Sequence, residues 1–165
     1  MNVMVVSASS REDSRCYRVA LHLVSVVLEH GVQVDFAHPA SARDARSQPW
    51  PQRVGATDAE LWVAPAALGG MSGEFKDLFD GLEPHAMKGD VVGLFALAQG
   101  PIAALGTLKD MSVVARSLGA WVAPHYCALP AAGDGADLDP RAAKRMKGVV
   151  GEVIDTARRL DADSA

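Results

Sequence analysis

Short apolar runs of strand length alternate along the chain with segments whose apolar residues recur at helical spacing. The first run, Val3-Met4-Val5-Val6, is continuous and does not alternate with polar residues. That pattern marks a strand buried on both faces, as in a parallel sheet covered by helices. Val19, Leu23, Val26 and Val27 then fall on one helical face, and Gly31 ends the pattern. Val32, Val34 and Phe36 form a second strand, and Leu61-Trp62-Val63-Ala64, ended by Pro65, a third. Val91 to Leu97 is a fourth, and Trp121-Val122-Ala123 opens a fifth. Between them Phe75, Leu78, Phe79 and Leu82 share a helix face, as do Leu105, Leu108, Met111, Ala115 and Leu118 ahead of a Gly119 cap. A last helix carries Met146, Val149, Val150, Val153, Ile154, Ala157 and Leu160, and the final residues are expected to fray.

This alternation predicts a doubly wound α/β fold, a five-stranded parallel sheet with helices on both faces. At 165 residues the chain suits one domain, 1–165. Residues 38–55 hold Pro39, Pro49 and Pro51 and show no period, so they read as a long loop anchored by Trp50. Residues 130–140, rich in Ala, Gly and Asp, read as another loop. Trp62 and Trp121 sit in strands and are expected in the core.

Composition removes several functions. The net charge of -4 gives no general attraction for nucleic acid or anionic membrane, so any phosphate must be held by a local site. The 2 cysteines, Cys16 and Cys127, form neither a zinc spacing nor a disulfide framework. No apolar run approaches the ~20 residues of a membrane span. Met1-Asn2-Val3 carries no basic flank of a secretory leader, and the cytoplasm is the expected location. No nucleophile elbow, Walker loop, zinc-protease motif or dinucleotide glycine fingerprint is present. His22 and His30 lie eight residues apart on one helix and read as core or solvated side chains, not a shared metal site.

In doubly wound sheets ligands sit beyond the carboxyl ends of the strands. That rule selects the loops at residues 7–14, 65–73 and 98–103. The first joins a buried strand to a helix N-terminus, where unpaired amides and the helix dipole favour an anion. Ser9 and Ser14 add hydroxyls there, and Arg11 a guanidinium suited to phosphate. The bland alternative makes Ser14 an N-cap and Arg11 a solvated side chain. Cys16, in the first helical turn, reads as a packed thiol. His125 and Tyr126 are expected at the end of the fifth strand, lining the cleft or packing at the sheet edge.

Two segments carry a resemblance. The first is Ala8-Ser9-Ser10-Arg11-Glu12-Asp13-Ser14-Arg15-Cys16; the second is the series Pro65, Gly69, Gly73, Phe75, Lys76, Asp77 and Asp80. Ala98-Gln99-Gly100 and Leu118-Gly119-Ala120 extend it. From about Val3 to Tyr126 the chain resembles the NADPH-dependent FMN reductase family of flavodoxin-like proteins. Members carry Gly-Ser-x-Arg-x-x-Ser-x-Asn after the first strand. Ser9, Arg11 and Ser14 match that pattern; Ala8 and Cys16 depart from it.

The resemblance implies a three-layer flavodoxin-like sandwich with strand order 2-1-3-4-5. It also implies FMN held by Ser9, Arg11, Ser14 and Cys16 at the phosphate, with Pro65, Ala66, Ala67, Leu68, Gly69, Gln99 and Gly100 along the ring. The implied activity is hydride transfer from NAD(P)H through FMN to an acceptor, in a homodimer or homotetramer. Phe75 and Phe79 would then serve a subunit contact or the core, and Trp50 would cover the flavin if it does not merely anchor its loop. Ala67 and Leu68 stand where the family has Tyr-Asn, so ring stacking and a side-chain hydrogen bond are lost there. These two residues keep a second reading alive: a non-catalytic flavodoxin-like binding or assembly protein with an altered ring site.

Overall fold

The computed structural model describes residues 1–131 and 138–164. Six strands and six helices are assigned among them: β1 (Asn2–Ser7), α1 (Arg15–Glu29), β2 (Gln33–Ala37), α2 (Pro39–Ala42), α3 (Trp50–Val54) and β3 (Ala59–Pro65) lead. They are followed by α4 (Gly73–Asp80), β4 (Val91–Ala98), α5 (Pro101–Ser117), β5 (Trp121–Val122), β6 (Cys127–Pro130) and α6 (Pro140–Ser164). All strand pairings are parallel, and the order across the sheet is β2-β1-β3-β4-β5, with β6 also on β4. This is the flavodoxin-like arrangement.

Alternation along β3 shows how the layers form. Leu61 faces α6, whose Val149 and Val153 lie over the missing side chain of Gly93. A Cβ at Gly93 would come within 2.8 Å of Val153 and 3.0 Å of Leu61, so the small residue lets α6 settle onto the sheet. Trp62 points to the other face, where its ring lies 4.2 Å from that of Phe79 and 5.9 Å from that of Phe75. Phe75 and Phe79 are both buried, so they serve the core. β1 and β4 are buried along nearly their whole length, as continuous apolar runs in a two-sided sheet require.

Five sequence expectations change. Residues 38–55 hold two short helices, because Pro39 and Pro51 sit in first turns, where a missing N–H costs nothing. Trp50 does anchor this stretch, its Nε1–H donating to the Leu78 carbonyl at 2.6 Å. The fifth strand is split: β5 pairs with Val91 and Val92, β6 with Phe95 to Ala98, and residues 123–126 lie between them. Trp121 is 62% exposed, because β5 is a two-residue edge strand that leaves its side chain uncovered. On α5 the inward residue of the second turn is Ala104, and Leu105 faces out. The last helix does not fray early but runs to Ser164. Of the expected 130–140 loop, residues 132–137 lie outside the described residues. No helix among the described residues is long and apolar enough to cross a membrane.

Candidate functional site

The loop after β1 is held from both sides. The Ala8 amide donates to the Val63 carbonyl at 2.8 Å, continuing the β1–β3 ladder one residue into the loop. The Ser10 hydroxyl accepts from the Ala40 amide at 2.9 Å, tying the loop to α2. Within it, serine oxygens satisfy some amides: Ser7 accepts from Ser9 at 3.2 Å, Ser9 from Arg11 at 3.3 Å and Ser14 from Tyr17 at 3.1 Å. Ser14 is therefore an N-cap of α1. Its hydroxyl proton remains free to donate elsewhere, since a hydroxyl can donate and accept at once.

The self-capping is incomplete. The amides of Ser10, Glu12, Asp13, Arg15 and Cys16 donate to no acceptor among the described residues. A cavity of about 300 Å³ opens beside them. Ser9, Arg11, Ser14, Cys16 and Pro65 line it, so five residues selected from sequence converge on one space. Asp13, Arg15, Leu97 and Ala131 complete the wall. Cys16 turns its thiol inward: Sγ donates to the Val63 carbonyl at 3.2 Å, and the residue is buried. Burial pushes the thiol's pKa up, against hydrogen bonds from Ser7 and the Ala8 and Ser9 amides. Such a thiol stays protonated, so what Cys16 can offer a ligand is its main-chain N–H.

Arg15 was not among the residues selected from sequence. Its Nε donates to the Pro130 carbonyl at 2.8 Å, at the end of β6, while its Nη1 is buried with no acceptor among the described residues. One signal was present in the sequence. A cation at the first position of a helix opposes the dipole, and α1 has no acid in its first turn to compensate.

Apart from Pro65, the residues expected along the ring lie outside that cavity. Ala66 extends β3, its amide donating to Leu97 at 2.8 Å. Ala67 and Gly70 exchange two main-chain bonds at 2.9 and 3.0 Å, closing a tight turn with Leu68 and Gly69 at its tip. Leu68 adopts φ 51° and is fully exposed, an uncommon combination for a large apolar residue. The amides of Leu68 and Gly69 are unpaired, while the Gly70 amide is used within the turn.

This turn rests on α5. A Cβ on Gly106 would lie 1.9 Å from the Gly69 carbonyl oxygen, so glycine is what permits the contact. The Thr107 hydroxyl donates to the Gly70 carbonyl at 3.1 Å, and Asp110 accepts from the Met71 amide at 3.0 Å. Gln99 is exposed, and Gly100 begins α5 without a side-chain cap. His125 and Tyr126 do not end a strand. They lie in the β5–β6 interruption and line a separate cavity of about 530 Å³ with Arg145 and Glu152. Among the described residues no cluster of three metal-ligating side chains occurs.

Unpaired amides, hydroxyls and guanidiniums at a helix N-terminus suit a phosphate. The comparisons agree with that chemistry. The family model for NADPH-dependent FMN reductase matches residues 1–134. The fold is similar to that of an NADH:FMN oxidoreductase in its apo form, at TM-score 0.79 and 17% identity, covering 92% of this chain and 87% of that one. It is also similar to RosB bound to the intermediate 8-demethyl-8-formylriboflavin-5'-phosphate, at TM-score 0.75 and 15% identity, covering 98% and 81%. A Streptococcus pneumoniae flavodoxin superposes at TM-score 0.71 and 14% identity, covering 94% and 99%. With its match over most of the sequence, the chain belongs to the NADPH-dependent FMN reductase family.

Proposed function

We propose that this protein binds FMN with its phosphate in the cavity after β1 and uses it to carry reducing equivalents from NAD(P)H to an acceptor. The observation that carries this reading is the set of five amides in that loop that are unpaired among the described residues, three of them on Asp13, Arg15 and Cys16, which line the cavity. They fit a phosphate, because each offers a donor that no protein group uses. Ser9, Arg11 and Ser14 would add donors, and Cys16 its amide. At the ring end the fit is through main chain: the Leu68 and Gly69 amides are free donors, and the turn presenting them is buttressed by α5.

Bound FMN supplies the hydride-accepting chemistry, so no side-chain acid or base is needed for that step. The chain's own part is positional. The loop would fix one end of the cofactor and the 67–70 turn would orient the other, with Pro65 on the cavity wall. Leu68 offers an apolar surface where an aromatic side chain is missing. The single domain would act in the cytoplasm as a homodimer or homotetramer. Because Phe75 and Phe79 are buried in the core, such a contact would have to use other residues.

The purified protein mixed with FMN is expected to show a perturbed flavin spectrum that bleaches on anaerobic addition of NADPH or NADH. A perturbed spectrum without bleaching would count against the reductase step and favour the second reading, a non-catalytic flavodoxin-like binding or assembly protein with an altered ring site. That reading draws its support from the Ala67-Leu68 tip. Absence of any spectral change at high micromolar FMN would remove the reductase reading and support the second.

A further inference from the structure

We propose that Arg15 is a second phosphate guanidinium and sets this protein's preference for flavin mononucleotide over uncharged flavin. The inference rests on the FMN reading above and adds to it a residue that neither the sequence pattern nor the family motif selects. Arg15 lines the same cavity as Ser9, Arg11 and Ser14. Its Nη1 is buried without an acceptor among the described residues, an arrangement that costs free energy until an acceptor arrives. The bond from Nε to the Pro130 carbonyl at 2.8 Å fixes the plane of the guanidinium. Fixing that plane in advance lowers the entropy cost of engaging a second acceptor.

Charge argues the same way. Arg15 opens a 15-residue helix against its dipole, with no acid in the first turn. Asp13 puts one carboxylate on the cavity wall, so Arg11 alone would leave the lining electrically balanced. With Arg15 added the lining is net cationic, which a phosphate monoester dianion needs and riboflavin does not. The anchoring bond also joins the cavity to the end of β6 at the sheet edge, so the anion site spans the carboxyl ends of β1 and β6.

The test is a titration of FMN, riboflavin and inorganic phosphate against wild type, Arg15→Met and Arg15→Lys, read by quenching of flavin fluorescence and by displacement of FMN with phosphate. Arg15→Met should weaken FMN roughly ten- to a hundred-fold and leave riboflavin unchanged. Arg15→Lys, which keeps the charge but loses the fork, should fall between, and it carries the test if the methionine variant does not fold. Wild type that binds FMN, with both variants keeping the wild-type FMN-to-riboflavin ratio, overturns the role of Arg15 alone. Wild type that ignores FMN but binds inorganic phosphate through Arg15 overturns the flavin reading and keeps the anion site. If wild type binds neither, both fall.

Discussion

The two ends of the parallel sheet treat unpaired polar groups in opposite ways. At the carboxyl end of the strands the unpaired groups are donors: loop amides after β1, the Leu68 and Gly69 amides, and Arg15 Nη1. At the amino end they are carboxylate oxygens. Glu60 is fully buried at the start of β3; Trp62 Nε1–H donates to one of its oxygens, and the other makes no close hydrogen bond among the described residues, although the Thr57 side chain lies near enough to act on the carboxyl. Asp90, just before β4, likewise buries an unpartnered oxygen. Donors beside a cavity wait for an anion. Buried carboxyls are favoured by taking up a proton, so that end is sensitive to pH, and Asp90 there also borders a cavity of about 340 Å³.

The largest expected effect breaks or upholds that contrast through pH. Burial, helped by the Asp90 charge and opposed by hydrogen bonds from Trp62 and Thr57, pushes Glu60 up to about 8. Burial and the Asp58 charge push Asp90 up to about 7. Both folded values exceed the unfolded ones, so the folded state holds protons that the unfolded chain releases. Stability is therefore full below the ordinary carboxylate range and declines as pH rises toward 7 and 8. Denaturation midpoints should fall from pH 5 to pH 8, with Glu60 contributing up to about 1.4 kcal/mol per pH unit. Glu60→Gln, which keeps the shape without the charge, should flatten the slope and be the more stable protein at pH 8. A wild-type profile already flat over that range would show that the buried acids are not protonated.

The ligand end is sharpened by three smaller changes. Gly106→Ala places a methyl on the Gly69 carbonyl and should cost about 1–3 kcal/mol in urea unfolding. It should also displace the 67–70 turn, weakening FMN while leaving inorganic phosphate binding intact. Loss of both together would mean that the two parts of the site are not separable. Arg11→Ala should weaken FMN by about 1.5 kcal/mol, the low end for a charge-assisted bond because Arg11 is exposed to solvent. An unaltered dissociation constant would remove Arg11 from the site. Ser14→Ala should cost about 1 kcal/mol of fold stability through its cap, measured by thermal unfolding. It should weaken FMN as well, because the same hydroxyl proton is free to reach the phosphate.

The fold was legible because strong periodic signals lie in the layers. Runs such as Val3 to Val6 and Val91 to Leu97 are apolar on both faces, and Met146 to Leu160 repeats at helical spacing. Signals failed at edges and connections. Trp121 looks like a core residue by type, yet position on an edge strand decides its exposure. Pro39 and Pro51 look like loop residues, yet first-turn prolines begin helices. At the site, Ser9, Arg11 and Ser14 were legible because a helix N-terminus after a buried strand concentrates donors. Arg15 was passed over because its partner, Pro130, lies 115 residues away and only the closed sheet brings them together. The buttress from Gly106 to Gly69 was hidden for the same reason: a glycine within a helix pattern gives no hint of what approaches it.

Comparing FMN with riboflavin by equilibrium titration tests the central claim most directly, since the two differ only in the phosphate that the loop after β1 is proposed to hold. FMN should bind at least ~10-fold more tightly, the gain of one charge-assisted contact. Equal affinity for the two, or binding of neither, would contradict the assignment of that loop as the anchor.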